Sequence, residues 1–218
     1  MAEINLLDKY PRSSRPIDER GGVNSEAVKK IARKYGVEYF DGERIYGYGG
    51  YNYNEKYWSE TVIRFRDHYQ LHYNAKVLDV GCAKGFMMFD FKRILPGIQI
   101  FGLDISRYAL EHAKPEMAVH ITRGDCQNIP WDDNYFDLVI SINTVHNLPR
   151  LQCIRALSEI QRVTKGDCFI TVDAWRNEEE RQRLLNWMLT AYTYYHVDDW
   201  ITLFKEAKYN GDYYWFFP

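Results

Sequence analysis

Three acidic side chains close three short apolar segments, and this placement indicates a shared polar site. Asp79 lies near the end of KVLDV, Asp104 ends IQIFGLD, and Asp125 follows a glycine just after a third apolar segment. An acid at the second position can accept both hydroxyls of a ribose. An acid at the third can accept a hydrogen bond from an exocyclic amine. The sequence therefore predicts recognition of a nucleoside-bearing ligand, although Asp104 alone would also fit a cap of the next helix.

The first acid leads into a glycine-rich turn, which reads DVGCAKG. Gly81 and Gly85 allow the backbone to turn tightly and to approach a ligand closely. The helix that follows presents free N–H groups at its start. A dinucleotide site would require the pattern GxGxxG, whereas this turn offers GxxxG. A dinucleotide-dependent oxidoreductase is therefore only an alternative.

Polar residues also follow a fourth apolar segment, FDLVISI. Asn143 comes directly after it, and His146 comes three residues later. Because imidazole titrates near neutrality, His146 is the candidate general base. The alternative is a structural histidine that bonds the backbone or helps to begin the next helix.

These residues need strands to position them, and the chain supplies a regular alternation. Short apolar segments alternate with helical patterns, which predicts βαβ units and a doubly wound, mostly parallel α/β sheet. Ligands of such sheets bind at the carboxyl ends of the strands. The predicted strands are 76–80, 98–104, 119–122, 136–142 and 168–172, and the intervening helices include 85–95, one capped by Ser106, and one with an apolar face from Leu151 to Val163.

Five motifs in this order resemble those of the class I S-adenosylmethionine-dependent methyltransferases. They are VLDVGCAKG, FGLDIS, RGDCQNIPW, YFDLVISINTVHNL and CFITVDAW. The resemblance covers about residues 75–175. It implies a Rossmann-like methyltransferase fold, S-adenosylmethionine as cofactor, and methyl transfer as the activity.

The resemblance assigns the first turn to the methionine and sulfonium part of the cofactor. Asp79, Gly81 and Gly85 would border that part, with Cys82 and Ala83 in the same turn. Ala83 departs from the family pattern, which usually has glycine there. Its methyl group should fit while narrowing the approach to the ligand.

The later motifs would hold the nucleoside. The resemblance implies that Asp104 binds the ribose hydroxyls while Ile105 packs on adenine. Asp125 and Cys126 would meet the adenine edge. Asn143 would lie near the methyl donor.

The two ends of the chain differ in composition from its middle, because they hold most of the 18 tyrosines and 6 tryptophans. We divide the chain into residues 1–72, an N-terminal arm with helices and a candidate lid, and 73–218, the cofactor-binding domain with a helical aromatic segment. The lid is YGYGGYNY, in which glycines offer hinges. Candidate acceptor contacts are Tyr46, Tyr51, Tyr53 and His196. The alternative to a lid is an aromatic loop packed on the C-terminal tail. The alternative for His196 is a purely structural histidine.

Bulk composition narrows the function further. The 28 basic and 30 acidic residues give a net charge of −2, so nothing attracts nucleic acid or an anionic membrane over distance. No apolar run suits a membrane span or a signal peptide. Four cysteines without a CxxC pair indicate free thiols in the cytoplasm and no metal site.

The acceptor is the least determined feature of the sequence. The N/D-PP-Y/F pattern of amino-group methylation is absent, since the fourth motif reads NTVH. We expect a small polar metabolite, such as a sugar or nucleotide-linked sugar. A catalytically silent cofactor-binding subunit is the main alternative. Only 213–217 reads as a strand after Trp175, so the sheet edge is abbreviated or completed by a second subunit, and a homodimer is left open.

Overall fold

The computed structural model describes residues 1–11 and 15–218, and these form a parallel sheet with helices on both faces. The helices are α1 (Ile17–Val23), α2 (Glu26–Ala32), α3 (Val37–Phe40), α4 (Glu55–His68), α5 (Phe86–Ile94), α6 (Arg107–Glu111), α7 (Arg150–Val163), α8 (Glu178–Trp187) and α9 (Val197–Glu206). The strands are β1 (Lys76–Val80), β2 (Gln99–Asp104), β3 (Ile121–Arg123), β4 (Phe136–Ile142), β5 (Thr164–Trp175), β6 (Tyr195–His196) and β7 (Asp212–Phe216). Two short 3₁₀ helices span Ala118–His120 and Val145–Asn147.

The sheet runs in the order β3-β2-β1-β4-β5, and β5 carries both β6 and β7 on its far side. Every strand pair is parallel. The order reverses beside β1, so the carboxyl ends of β1, β2 and β4 open onto one crevice. The predicted doubly wound fold is confirmed.

Each face of the sheet has its own apolar core, which explains why the strands read as continuous apolar runs. Leu78 and Val139 point into a core with α7 and α9, where Trp200 is fully buried. Val77 and Leu138 point into the opposite core with α4 and α5. Alternation along β1 and β4 thus fills both layers and fixes the register of the strands.

The far edge of the sheet is covered by the chain's own N-terminal residues. The Ile4 N–H donates to the Tyr213 carbonyl at 2.9 Å, and the Tyr213 N–H donates to the Ala2 carbonyl at 3.0 Å. The expectation of an abbreviated edge is wrong, because the two-residue strand β6 follows Trp175 in addition to β7 and brings the sheet to seven strands. Its completion by a second subunit is not needed, because residues 2–4 already occupy the position next to β7.

Several predicted elements are wrong at the ends of the chain. The composition of residues 1–22 predicts an extended arm, but α1 begins directly after Pro16 and packs on α8. The sequence also predicts a helix over residues 177–193, but α8 ends at Trp187. Leu151 was placed on the buried face of α7, yet 69% of it is exposed. The four cysteines are free, as predicted.

Candidate functional site

The glycine-rich turn after β1 has the backbone geometry that its glycines predict. Gly81 has φ +82° and Gly85 has φ +75°, in the left-handed region that favours glycine. A Cβ on Gly81 would lie 2.0 Å from the Thr144 side-chain oxygen, so the Thr144 side chain occupies the space that any side chain at position 81 would need. Ala83 also has positive φ, +49°, and holds this conformation at the cost that a Cβ brings.

Asp104, at the end of β2, joins this turn to the next helix. One carboxylate oxygen accepts the Ala83 N–H and the other accepts the Ser106 N–H, both at 2.8 Å. Ser106 in turn caps α6 through its side chain. Helix capping therefore belongs to Ser106, and Asp104 points back to the glycine-rich turn. Ile105 follows with 53% of its surface exposed, and an apolar side chain so placed offers a face to a planar ring.

Asp79 is a buried acid whose carboxylate has no hydrogen-bond donor among the described residues. Only 4% of it is exposed, and no described residue donates a hydrogen bond to its carboxylate. Burial, followed by the charge of Asp104, raises the pKa of Asp79 to about 8. A buried carboxylate of this kind favours a cationic ligand beside it. Cys82, in the same turn, has a pKa raised well above its ordinary value by burial, so its thiol is inert.

The loop after β3 places its two predicted residues differently. The Asp125 carboxylate is engaged by Gln127, whose backbone N–H lies 2.9 Å from one oxygen and whose side-chain amide lies 2.9 Å from the other. Cys126 is half-buried, and burial raises its pKa to about 12. Asp125 keeps spare acceptor capacity, since a carboxylate accepts about four hydrogen bonds.

Asn143 sits where β4 ends and is fixed by β5. Its φ is +51°, and its N–H lies 2.9 Å from the Thr171 side-chain oxygen. The Thr171 hydroxyl donates to the Asn143 amide oxygen at 2.8 Å. The side chain is therefore held at the edge of the crevice by an exchange of bonds with β5.

The role of general base predicts that His146 lies open at the mouth of the crevice, but the residue is buried, with 3% exposure. Its Nδ1 accepts the Asp173 N–H at 3.0 Å, so in the neutral ring the hydrogen must be on Nε2. Nε2 lies 3.7 Å from the Asp173 carboxylate. Burial lowers the pKa of His146, which favours the neutral ring. Apart from this neighbour, the Asp173 carboxylate has no hydrogen-bond donor among the described residues.

The tyrosine-rich segment lies on the crevice together with the residues just before it, and we call residues 35–53 the aromatic cover. Ser106 donates to the Tyr35 carbonyl at 2.6 Å. The Lys84 ammonium, from the glycine-rich turn, meets Asp41 at 2.6 Å and the Tyr51 carbonyl at 3.1 Å. The cover is thus bonded directly to the turn and the helix cap that define the crevice.

The middle of the cover reaches the C-terminal region. Tyr48 accepts the Leu189 N–H through its hydroxyl at 2.7 Å, and its ring packs on Trp187. Its contact with this region fits the alternative of a loop packed on C-terminal residues as well as a lid. Burial, followed by the charge of Asp173, raises the pKa of Tyr48 to about 12. The pKa of Tyr39 is raised well above its ordinary value by burial, with Asp104 and Asp173 among the further causes.

The predicted acceptor residues are dispersed. The Tyr53 hydroxyl donates to Asp90 at 2.8 Å, and its ring packs on Phe86 and Phe89. It therefore anchors the cover to α5. Tyr51 contributes a carbonyl to Lys84, and Tyr46 is half-buried in the cover.

His196 has structural bonds on both ring nitrogens. Its Nδ1 accepts the Asp198 N–H at 3.3 Å, which caps α9, and its Nε2 lies 3.2 Å from the Arg176 carbonyl. The structural alternative accounts for both contacts.

A cleft of about 550 Å³ opens beside Ile105, between the cover and α6. Tyr35, Ser106 and Arg123 also line it. Its size falls within the range of small-molecule sites, and it lies where the resemblance places adenine. Within the described residues, no helix is long and apolar enough to cross a membrane, and no cluster of His, Cys, Asp and Glu has the arrangement of a metal site.

Comparison with known proteins agrees with this geometry. Residues 77–167 match the family model described as a methyltransferase domain. A sterol 4-C-methyltransferase of Caenorhabditis elegans is 31% identical over 112 residues, which cover 48% of this chain and 32% of that protein. A demethylmenaquinone methyltransferase of Staphylococcus carnosus is 28% identical over 148 residues, 66% of this chain and 58% of that protein. The chain thus spans less than two thirds of both relatives.

Solved structures give the same fold. The YcgJ protein of Bacillus subtilis superposes with a TM-score of 0.55 at 18% identity, covering 67% of this chain and 66% of that one. The MccD protein superposes with a TM-score of 0.53 at 18% identity, covering 66% and 68%. The family match, together with the motif order and the strand order, shows that residues 77–167 form a methyltransferase domain of the class I, S-adenosylmethionine-dependent type. S-adenosylmethionine is its methyl donor.

Proposed function

We propose that the chain transfers the methyl group of S-adenosylmethionine to a hydroxyl of a small polar metabolite, in the cytoplasm. The observation that carries the proposal is the convergence of Asp79 and Asp104 on the glycine-rich turn. Asp79 supplies a buried acid without a donor, and Asp104 supplies a carboxylate held at the end of β2. These residues fit S-adenosylmethionine, because Asp79 suits a positively charged group and Asp104 suits the ribose hydroxyls.

Bound S-adenosylmethionine supplies a methyl group on a positively charged sulfur, which is already electrophilic. The residues of the chain then have to align an acceptor and exclude water. Gly81 lets the backbone approach, and Asn143 is locked by Thr171 at the crevice edge. The aromatic cover closes over the same strand ends, which would keep water from the reacting atoms.

We propose Asp173 as the group that accepts the acceptor's proton, in place of His146. The Nδ1 lone pair of His146 is already used by the Asp173 N–H, so the neutral ring has no free acceptor. The Asp173 carboxylate lies at the carboxyl end of β5, two residues after the Thr171 that holds Asn143. Burial raises its pKa, so its basicity is greater than that of an exposed aspartate.

The acceptor class rests on the character of the aromatic cover. Tyrosine rings and hydroxyls suit a ring that is apolar on its faces and polar at its edge, as in sugars. The balanced charge of the chain gives no pull toward nucleic acid. The free cysteines support a reducing, cytoplasmic setting. A sugar or nucleotide-linked sugar is therefore the first class to assay, and the homodimer stays a prediction for gel filtration to check.

Calorimetry with S-adenosylmethionine and S-adenosylhomocysteine tests the first half of the proposal. We expect micromolar binding of both by the wild-type chain and a loss of about 10–100-fold in affinity for Asp104→Ala, because hydrogen bonds to a charged group contribute about 1.5–3 kcal/mol. Asp67→Asn, on the exposed side of α4, is the matched control and should bind normally. Absence of binding by the folded wild-type chain would refute the proposal.

A panel of sugars and nucleotide-linked sugars, assayed by release of S-adenosylhomocysteine, tests the second half. Asp173→Asn should lower kcat by about 100-fold or more, in the range of general-base loss, with little change in cofactor affinity. His146→Gln should have a smaller effect, because the ring only positions Asp173. Full activity of Asp173→Asn at pH 7 would exclude Asp173 as the base.

A further inference from the structure

Next to the proposed acceptor site lies a buried positive charge that no acidic group of residues 1–11 and 15–218 neutralises. Arg20 is 5% exposed. One terminal nitrogen donates to the carbonyls of Arg44 and Gly47, each at 2.9 Å. The other terminal nitrogen, Nη1, is buried and has no hydrogen-bond partner among the described residues. A buried guanidinium in this state costs free energy until it is paired.

A second guanidinium increases the local charge. Arg44 donates to the Gly47 carbonyl at 3.0 Å and forms no ion pair with a described carboxylate. Burial, followed by repulsion from Arg44, lowers the pKa of Arg20. Two cations are therefore held side by side around one carbonyl, an arrangement that repels itself unless an anion joins it.

Trp187 is the platform on which these cations assemble. The guanidinium carbons of Arg20 and Arg44 lie 4.3 Å and 5.8 Å from its ring centre, and that of Arg15 lies 5.7 Å away. Arg20 also stacks on Tyr48 at 5.3 Å. Cation–π contacts hold the guanidinium groups in place but do not cancel their charge. The donors of Arg20 and Arg44 stay suited to a planar or tetrahedral oxyanion.

The cluster is connected to the site of the proposed chemistry. Tyr48 packs on Tyr39, whose pKa responds to both Asp104 and Asp173. Arg15 is close enough to Asp173 to lower that acid's pKa. A row of neighbouring side chains therefore leads from Asp104 through Tyr39 and Tyr48 to the two arginines. A ligand lying along this row would place one end near Asp173 and the other at Trp187.

We propose that Arg20, Arg44 and Trp187 form an anion-binding subsite that takes a phosphate group of the methyl acceptor. The subsite rests on the proposed function, because it names the chemistry of the acceptor for that same crevice. Arg20 Nη1 supplies the unused donor, Arg44 adds charge from the cover, and Trp187 fixes both groups. Phosphate is favoured over carboxylate because two or more guanidinium groups can share its oxygens.

Inorganic pyrophosphate is the probe, read by tryptophan fluorescence and by the midpoint of thermal unfolding. Pyrophosphate should change the fluorescence of the wild-type chain and raise its unfolding temperature by about 2–4 °C near saturation. Arg44→Gln, at a largely exposed position, should fold and bind about tenfold more weakly. Arg20→Met should lose the response, and Trp187→Phe should lose the fluorescence change.

Control arms separate this subsite from the cofactor site and from nonspecific charge effects. Arg66→Gln removes an exposed arginine on α4 and should bind pyrophosphate normally. Arg44→Gln should keep its calorimetric affinity for S-adenosylhomocysteine within about twofold, so loss of one site does not imply loss of the other. The subsite is refuted if pyrophosphate does not bind the wild-type chain, if Arg44→Gln binds it equally well, or if malonate binds as tightly.

Discussion

The strand ends and the aromatic cover form two halves of one crevice but are held together by different forces. β1, β2 and β4 are fixed by backbone pairing and by apolar cores on both faces. The cover is held by a few side-chain contacts, chiefly Lys84 to Asp41, Ser106 to the Tyr35 carbonyl, and Tyr48 to the Leu189 N–H. Segments with few buried contacts open at lower free energy than the core. We therefore expect the strand ends to stay rigid and the aromatic cover to open more easily.

The largest expected effect comes from a substitution in the glycine-rich turn, where Gly81 lies against the Thr144 side chain. Gly81→Ala should lower the free energy of unfolding by about 2–4 kcal/mol, because a Cβ there overlaps Thr144 and the left-handed φ is strained. S-adenosylmethionine affinity should fall at least about tenfold. Urea unfolding and calorimetry measure both.

Gly166→Ala is the matched control for this substitution. A Cβ at Gly166 meets nothing within 4 Å, so its unfolding midpoint and cofactor affinity should match the wild type. Equal behaviour of the two alanine variants would mean that the glycine-rich turn is not the rigid element we describe.

A second test separates stability from function within the fixed half. The folded pKa of Asp79 is about 8, well above its ordinary 3.8. The folded protein therefore retains a proton that the unfolded chain has lost, and the stability contributed by Asp79 declines as pH rises from about 4 to about 8. Asp79→Asn should raise the free energy of unfolding of the ligand-free protein at pH 8 by about 1–3 kcal/mol while weakening cofactor binding.

Urea titrations at pH 5.5 and pH 8.0 check this prediction, with the wild type as reference. The free energy of unfolding should decline less between the two pH values in the variant than in the wild type. Part of the decline should remain, because burial also raises the pKa values of Asp104 and Asp173. An identical decline in both proteins would contradict an ionisable, unpaired Asp79.

The smallest expected effect concerns the attachment of the cover. Asp41→Asn removes the charge that holds Lys84 and also weakens the bond from the Tyr108 hydroxyl. Lys84 is buried, but it keeps the Tyr51 carbonyl and the amide oxygen of the new asparagine as acceptors, and Asp41 itself is partly exposed, so the loss is about 1 kcal/mol. Limited proteolysis within residues 35–53 should accelerate about three- to fivefold, and the unfolding midpoint should hardly change.

The exposed pair Arg66–Asp67 provides the control for the cover. Asp67→Asn breaks a contact of 2.7 Å on α4 without touching the crevice. Its proteolysis rate should equal that of the wild type. Faster cleavage of both variants would indicate general loosening rather than release of the cover.

The strands of the sheet and the acids at their ends could be predicted from the sequence, because the local residue pattern and the packing of the fold favour the same structure there. A short apolar run followed by an acid or a glycine turn marks each strand end, and Asp79, Gly81 and Asp104 lie where this pattern puts them. The same pattern was present at Asp173, which ends the motif CFITVDAW. The sequence alone favours His146 over Asp173, because the backbone contact that occupies the His146 Nδ1 joins residues 27 positions apart and no local pattern reveals it.

The cover could not be placed from sequence because its partners are distant along the chain. Arg20 meets Gly47, and Tyr48 meets Leu189, 141 residues away. α1 carries a Gly-Gly pair and forms through packing on α8 rather than through helix propensity. Composition showed that this region is aromatic, but only the fold shows that its rings and cations share one face.

The bond between residues 2–4 and β7 also bears on how the molecule is made. Residues 2–4 are synthesised long before Tyr213, so their backbone groups find these partners only after the intervening chain has been made. Until β7 has been synthesised, the β5 edge is bare along the stretch that β7 will occupy. A nascent chain with such an unpaired edge is open to association with its neighbours, so slow translation or crowded polysomes would be the conditions in which this enzyme aggregates most.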